Sequence, residues 1–222
     1  MAIEIKAIDS STARTEILRR IREANGSPAE GAVVSQQWNS IERGYRRSAT
    51  LPHAEVIELL EDRLRDYDAH IAHADGDVAA TVTKMLTDRG LSRIVVPDGL
   101  DAAWMPAGFD FVIDRGFQAS ELDGFEGVMT GAALAIAETG SVVLQNVPGQ
   151  GRRAISLVPD YHLCLVRVQD VVETVPEALN RLGATANLPT TFFSGPSATA
   201  DIEMTRIKGV HGPRFLDVIL VH

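Results

Sequence analysis

The 222-residue chain predicts an α/β fold: an open, largely parallel sheet with helices on both faces, preceded by an N-terminal helical extension. Three observations predict it. Helical and strand patterns alternate from Pro52 onward. The strand candidates are short β-branched runs such as Arg93-Ile-Val-Val96, the pattern of strands covered on both faces. A chain of this length with 45% hydrophobic residues buries a core without disulfide or metal staples.

The elements follow in order. Residues 1–24 carry a helix that Asp9, Ser10 or Ser11 caps, with Ile17, Leu18 and Ile21 as a narrow apolar stripe; Gly26-Ser-Pro28 stops it. Residues 26–50 show no regular pattern, so residues 1–50 read as an arm and 51–222 as the main domain. Pro52 opens a helix whose inner face is Val56, Leu59, Leu60 and Leu64. A strand over Ala69–Ala72 turns at Asp75-Gly-Asp77 into a helix with Val78, Val82, Met85 and Leu86 inward, ended by Gly90. Arg93–Val96 and Phe109–Ile113 are strands. Thr130–Ala135 reads as a short small-residue helix, Ala135–Ala137 as extended and Ser141–Leu144 as a strand. His162–Val168 is a strand, Val171–Leu182 an amphipathic helix, Thr190–Phe193 a strand and Phe215–Val221 the closing strand.

Composition excludes several classes. No run of about 18 apolar residues exists, so no membrane span is expected, and the N-terminus lacks a signal-peptide pattern. A cytoplasmic location is the expectation. The net charge of −9 disfavours nucleic acid as a partner but leaves room for a small anion at a local positive site. The single cysteine, Cys164, provides neither a disulfide nor the thiolates of an iron–sulfur cluster, and it sits in an apolar strand pattern as a buried thiol. His70 and His73, three apart on a strand, point to opposite faces, so no metal site is assigned.

Two stretches carry candidate chemistry. Glu138-Thr139-Gly140 is a sharp turn between apolar runs, which makes Glu138 a candidate base or nucleophile raised in pKa by desolvation. The second stretch, Phe192-Phe-Ser-Gly-Pro-Ser-Ala-Thr-Ala-Asp201, turns from apolar to polar. Ser194, Gly195, Ser197 and Thr199 form a candidate anion cradle, helped by a helix dipole if a helix starts near Thr199. Asp201 lies in the same loop. His211, between Gly209 and Gly212, is a candidate for proton transfer. The plainer alternative is that the glycines make turns, the hydroxyls cap helices, Glu138 accepts neighbouring N–H bonds and His211 bonds backbone. Neither a Walker loop nor Gly-x-Gly-x-x-Gly is present.

Gly131 with Ala135-Ile-Ala-Glu-Thr-Gly-Ser-Val-Val-Leu144, Pro159-x-x-His162, and Ser194-Gly-Pro-Ser-Ala-Thr-Ala-Asp-Ile-Glu203 with Gly209-Val-His-Gly-Pro213 resemble the LUD-domain family. Within it they look most like the lactate utilisation protein C (LutC/YkgG-like) group. The similarity is strongest from Thr130 to Val221. It implies a fold like the NagB/RpiA/CoA-transferase group and a role in oxidising L-lactate to pyruvate beside partner subunits, at least one bearing iron–sulfur clusters. It implies no cofactor in this chain. Ala198 replaces a commoner polar or basic residue, which weakens the cradle's chemistry. By analogy with CoA-transferases of that wider fold, whose nucleophilic Glu precedes a small turn ending in Gly, Glu138 ranks first. Thr139 and Gly140 of its turn, and Gly212 beside His211, are further candidate ligand contacts. Two further readings stay open: a stand-alone acyl- or sugar-phosphate-processing enzyme using Glu138, and a scaffold or regulatory protein with a vestigial pocket.

Overall fold

The structure, a computed structural model, describes residues 10–26, 31–199, 207–208 and 212–222. The chain divides into two compact units, Met1–Tyr45 and Arg46–His222. The first holds helices α1 (Ser10–Asn25) and α2 (Gly31–Ser40). Arg19 ties α1 along its own surface by pairing with Glu16 and Glu23, one turn to either side. Helix α2 falls where no regular element is expected: its polar Ser-Gln-Gln run lacks the apolar stripe that betrays a helix in sequence.

The second unit is α/β. Its elements are α3 (His53–Asp66), β1 (His70–Ala74), α4 (Val78–Asp88), β2 (Arg93–Val96), β3 (Asp110–Ile113), α5 (Ala119–Leu122) and β4 (Gly127–Gly131). Next come β5 (Leu134–Ile136), β6 (Ser141–Gln145), β7 (Tyr161–Arg167), β8 (Val171–Val172), α6 (Val175–Leu182) and β9 (Thr190–Phe193). The chain closes with β10 (Ala198–Thr199), β11 (Ile207–Lys208) and β12 (Phe215–Val221). Six strands form one parallel sheet in the order β1-β12-β7-β4-β2-β3.

Side chains alternate across that sheet with period two. Cys164, Val166, Val218 and Leu220 point to the face covered by Val56, Ile57, Leu60 and Leu64 of α3. Leu163, Leu165 and Ile219 point to the face covered by Val82, Met85 and Leu86 of α4. The expected fold class is therefore the observed one. Asp77 caps α4 as its side chain accepts from the Ala80 N–H at 2.9 Å.

A second, four-stranded sheet, β8-β5-β6-β9, is not anticipated by the sequence. Its residues Ala135, Ala137, Val142 and Leu144 join the α3 side of the core. Three local expectations are corrected here. Thr130 and Gly131 close strand β4 and Leu134 opens β5, so Thr130–Ala135 is not a helix. A Cβ on Gly131 would meet Gly149 O at 3.4 Å and the Trp104 ring at 3.5 Å. Its small side reflects close packing and not helix propensity. Val171–Val172 pairs with β5, and α6 starts only after a capping box between Thr174 and Glu177. Thr199 itself is strand and not the first residue of a helix: Ala198–Thr199 pairs antiparallel with Ile207–Lys208. No helix among the described residues is long and apolar enough to cross a membrane.

Candidate functional site

Strands β6 and β9 run antiparallel, pairing Val142 with Phe193. The turn that enters β6 therefore lies beside the residue that leaves β9. Thr139 donates to Ser141 Oγ at 2.8 Å, and Ser141 and Ser194 share a hydroxyl hydrogen bond of 2.7 Å. The two candidate stretches meet through this antiparallel pairing.

They do not bury Glu138. The Glu138 side chain is 48% exposed and its Oε1 accepts from Arg46 Nη2 at 3.0 Å. Arg46 also pairs with Glu173, whose side chain is only 2% exposed. Glu173 further accepts from the Thr50 and Leu51 N–H groups at 2.6 and 2.9 Å. The desolvated carboxylate of this region is thus Glu173, one strand away from Glu138, and both belong to an electrostatic clasp on residues 46–51.

The glycines of the two turns make room for α3. Gly140 has φ +59 and its Cβ would lie 2.7 Å from Arg63 Cβ; Gly195 has φ +78 and its Cβ would lie 2.3 Å from Tyr67 Cβ. Both turns can press on the end of that helix only as glycine.

A cavity of about 230 Å³ opens beside Ser194, Gly195, Ser197 and Gly212. Its other walls include Phe193, Leu216, Arg153, Ser156 and His162. It lies over the early residues of β7 and β12, against the α3-side face of the main sheet, and not beyond the carboxyl ends of the strands. Thr199 lies on β10, and Asp201 and His211 fall outside the described residues.

Arg153, Ser156 and His162 were not among the sequence candidates. Arg153 differs from its neighbour Arg152. Arg152 is spent on Asp114, at 2.6 and 2.9 Å, and on the Phe117 carbonyl; its hydrogen bonds hold the Asp114 carboxyl below the usual carboxylate range. Arg153 has no carboxylate partner among the described residues and reaches only Ser156 Oγ, at 3.4 Å.

His162 is 3% exposed. Burial, and then the Arg153 charge, pulls its pKa down to about 3, so the ring is neutral throughout the physiological range. The ring packs on Phe193 with centroids 5.2 Å apart. Its Nε2 lies 2.8 Å from Thr130 Oγ1. Thr130 in turn donates to Cys164 Sγ at 3.7 Å, and Cys164 to the Gly131 carbonyl at 3.9 Å. Burial pushes the Cys164 thiol up to about 12, so it keeps its proton. A guanidinium with no carboxylate partner among the described residues, several hydroxyls and a neutral imidazole suit a small anion that also offers a polar group.

The two histidines of β1 lie elsewhere. His73 touches Glu61 at 2.8 Å and His222 at 2.9 Å, while His70 faces Asp217 at 4.0 Å. Among the described residues no group of three or more His, Cys, Asp or Glu could hold a metal ion.

A family model described as LUD domain matches residues 8–221. Lactate utilization protein C of Deinococcus radiodurans is 41% identical over 181 residues, covering 80% of this chain and 84% of that protein. The uncharacterized protein YkgG of Escherichia coli is 31% identical, covering 90% of this chain and 94% of that protein. The crystal structure of a DUF162-family protein from Deinococcus radiodurans matches with a TM-score of 0.68 at 38% identity, covering 78% of this chain and all of that one.

Proposed function

Because the chain belongs to the LUD-domain family, we propose that it serves lactate utilisation, as the names of its relatives indicate, by binding a small carboxylate in the cavity between β9 and the main sheet. It acts as the non-cluster component of a system that oxidises L-lactate to pyruvate, beside iron–sulfur subunits that take the electrons. One observation carries the ligand: Arg153 lines the cavity with no carboxylate partner among the described residues. A guanidinium beside hydroxyls matches a carboxylate with charge-assisted bonds. The reading in which Glu138 is the nucleophile of a stand-alone transferase has less support, since that carboxylate is half exposed and paired with Arg46.

The test is thermal unfolding of the pure chain with L-lactate, pyruvate, acetate or phosphate. A ligand at a hundred times its Kd adds about 2.7 kcal/mol, which for a domain of this size is a rise of roughly 5–10 °C. Arg153→Met is expected to abolish the rise while leaving the unliganded midpoint within a degree or two. A midpoint indifferent to every carboxylate tried would sink the small-acid reading. Co-purification of iron–sulfur subunits with the tagged chain tests the assembly separately.

A further inference from the structure

We infer that His162 makes the cavity select a small acid bearing a hydroxyl donor, a 2-hydroxy acid, over the corresponding 2-oxo acid. The inference rests on the small-carboxylate reading of the cavity and gives it a direction.

The geometry reaches it through proton counting. The chain of buried groups ends at the Gly131 carbonyl, which can only accept. We assign the Cys164 S–H to that carbonyl, 3.9 Å away, and the Thr130 O–H to Cys164 Sγ, 3.7 Å away. Thr130 has one proton and has given it away, so its remaining role towards His162 is acceptor. Nε2 therefore carries the ring proton and donates it to Thr130 Oγ1 across 2.8 Å. This arrangement gives all three buried donors a partner. The opposite tautomer draws the Thr130 proton away from Cys164 Sγ and leaves an N–H on Nδ1 with no partner among the described residues. The sheet register holds the groups in place, since Thr130 of β4 is aligned with Cys164 of β7, two residues beyond His162.

The other ring nitrogen, Nδ1, is then a bare lone pair. Among the described residues nothing donates to it, although the residue is almost fully buried and lines the cavity. The high cost of positive charge at this position keeps it unprotonated. With the acid's carboxylate on Arg153, a hydroxyl on the adjacent carbon gives its proton to Nδ1. A ketone oxygen at the same place sets two lone pairs against each other. Sites built around a substrate hydroxyl reject analogues that cannot supply the bond, because the buried polar group is left unpaired. The cavity in this form holds the reduced acid and releases the oxidised one.

Calorimetric titration of the full chain with L-lactate, pyruvate and propionate tests this, together with the nitrogen chemical shifts of ¹⁵N-labelled histidine. L-Lactate is expected to bind at least tenfold more tightly than pyruvate and than propionate. His162→Phe should bring the three affinities together while Arg153-dependent binding persists. The nitrogen spectrum of the unmutated protein should show His162 protonated at Nε2 and bare at Nδ1, a readout that does not require the variant to fold. Pyruvate binding as tightly as L-lactate, in an Arg153-dependent way, overturns the selection and keeps the small-carboxylate site. A proton found on Nδ1 overturns it equally. Binding of none of the three acids overturns both.

Discussion

Glu173→Ala is expected to lower the unfolding midpoint by roughly 6–12 °C, the equivalent of about 3 kcal/mol in a domain of this size. The carboxylate is buried, and its oxygens gather the Arg46 guanidinium, the Thr50 hydroxyl and two backbone N–H groups. Removing it leaves the Arg46 guanidinium and the Thr50 and Leu51 N–H groups without their shared acceptor. Breaking a buried charged pair from one side costs about 3–5 kcal/mol, and the partial exposure of Arg46 places this case at the low end. Glu138→Gln is the matched control. It removes one contact to the same arginine from a half-exposed position, where such pairs contribute about 0–1 kcal/mol. Thermal melts of the two variants side by side measure the difference. Equal losses would mean that the clasp depends on the half-exposed Glu138 as much as on the buried Glu173, against the burial argument.

The second large effect is a loss of stability in mild acid. His162 has its folded pKa pulled from the ordinary 6.5 down to about 3. The unfolded chain therefore takes up a proton on this ring that the folded one refuses. Stability from this group is complete above pH 6.5 and is lost as pH falls from there towards 3. Between pH 7.5 and pH 5 the loss is about 2 kcal/mol, or roughly 4–8 °C in midpoint. In His162→Gln, whose side chain does not titrate, that slope should disappear between pH 6.5 and 5. Below that range the carboxylates held down by partners, such as Asp114 and Glu126, add their own acid loss in both proteins. An unchanged slope in the variant would show that His162 is not neutral in the folded state.

How much of this was legible in the sequence depended on whether the signal was local. Helices α3 and α4, the Asp77 cap and the strands β2, β7 and β12 announce themselves by periodicity, because each buries one face or both in a regular way. The start of α6 also had a local sign, Thr174-x-x-Glu177, which the amphipathic run beginning at Val171 obscured. Thr130–Ala135 misleads for a physical reason: its alanines favour a helix in isolation, but here Gly131 allows β4 to pass close to Trp104 and Gly149. The site divides in the same way. Ser194, Gly195, Ser197 and Gly212 reveal themselves as a polar, glycine-rich break. His162 and Arg153 do not. Pairing of β4 with β7 gives His162 its hydrogen-bonding chain, and comparison of two adjacent arginines separates the structural one from the open one. Both are facts of tertiary register that no spacing in the chain encodes.

Cys164 has a use beyond its place in that chain of hydrogen bonds. It is the single thiol in 222 residues and lies fully buried on the central strand β7, with its proton held by burial. Thiol reagents attack the thiolate, so the native state is invisible to them. Labelling waits for the sheet to open. The rate at which an aromatic disulfide reagent colours the intact protein is therefore a clock on opening, set by the population of open molecules when reclosing is fast. No probe need be engineered in. A ligand that settles against His162 and Phe193 should slow the clock in proportion to its occupancy, so the protein brings its own stopwatch for the molecule it holds.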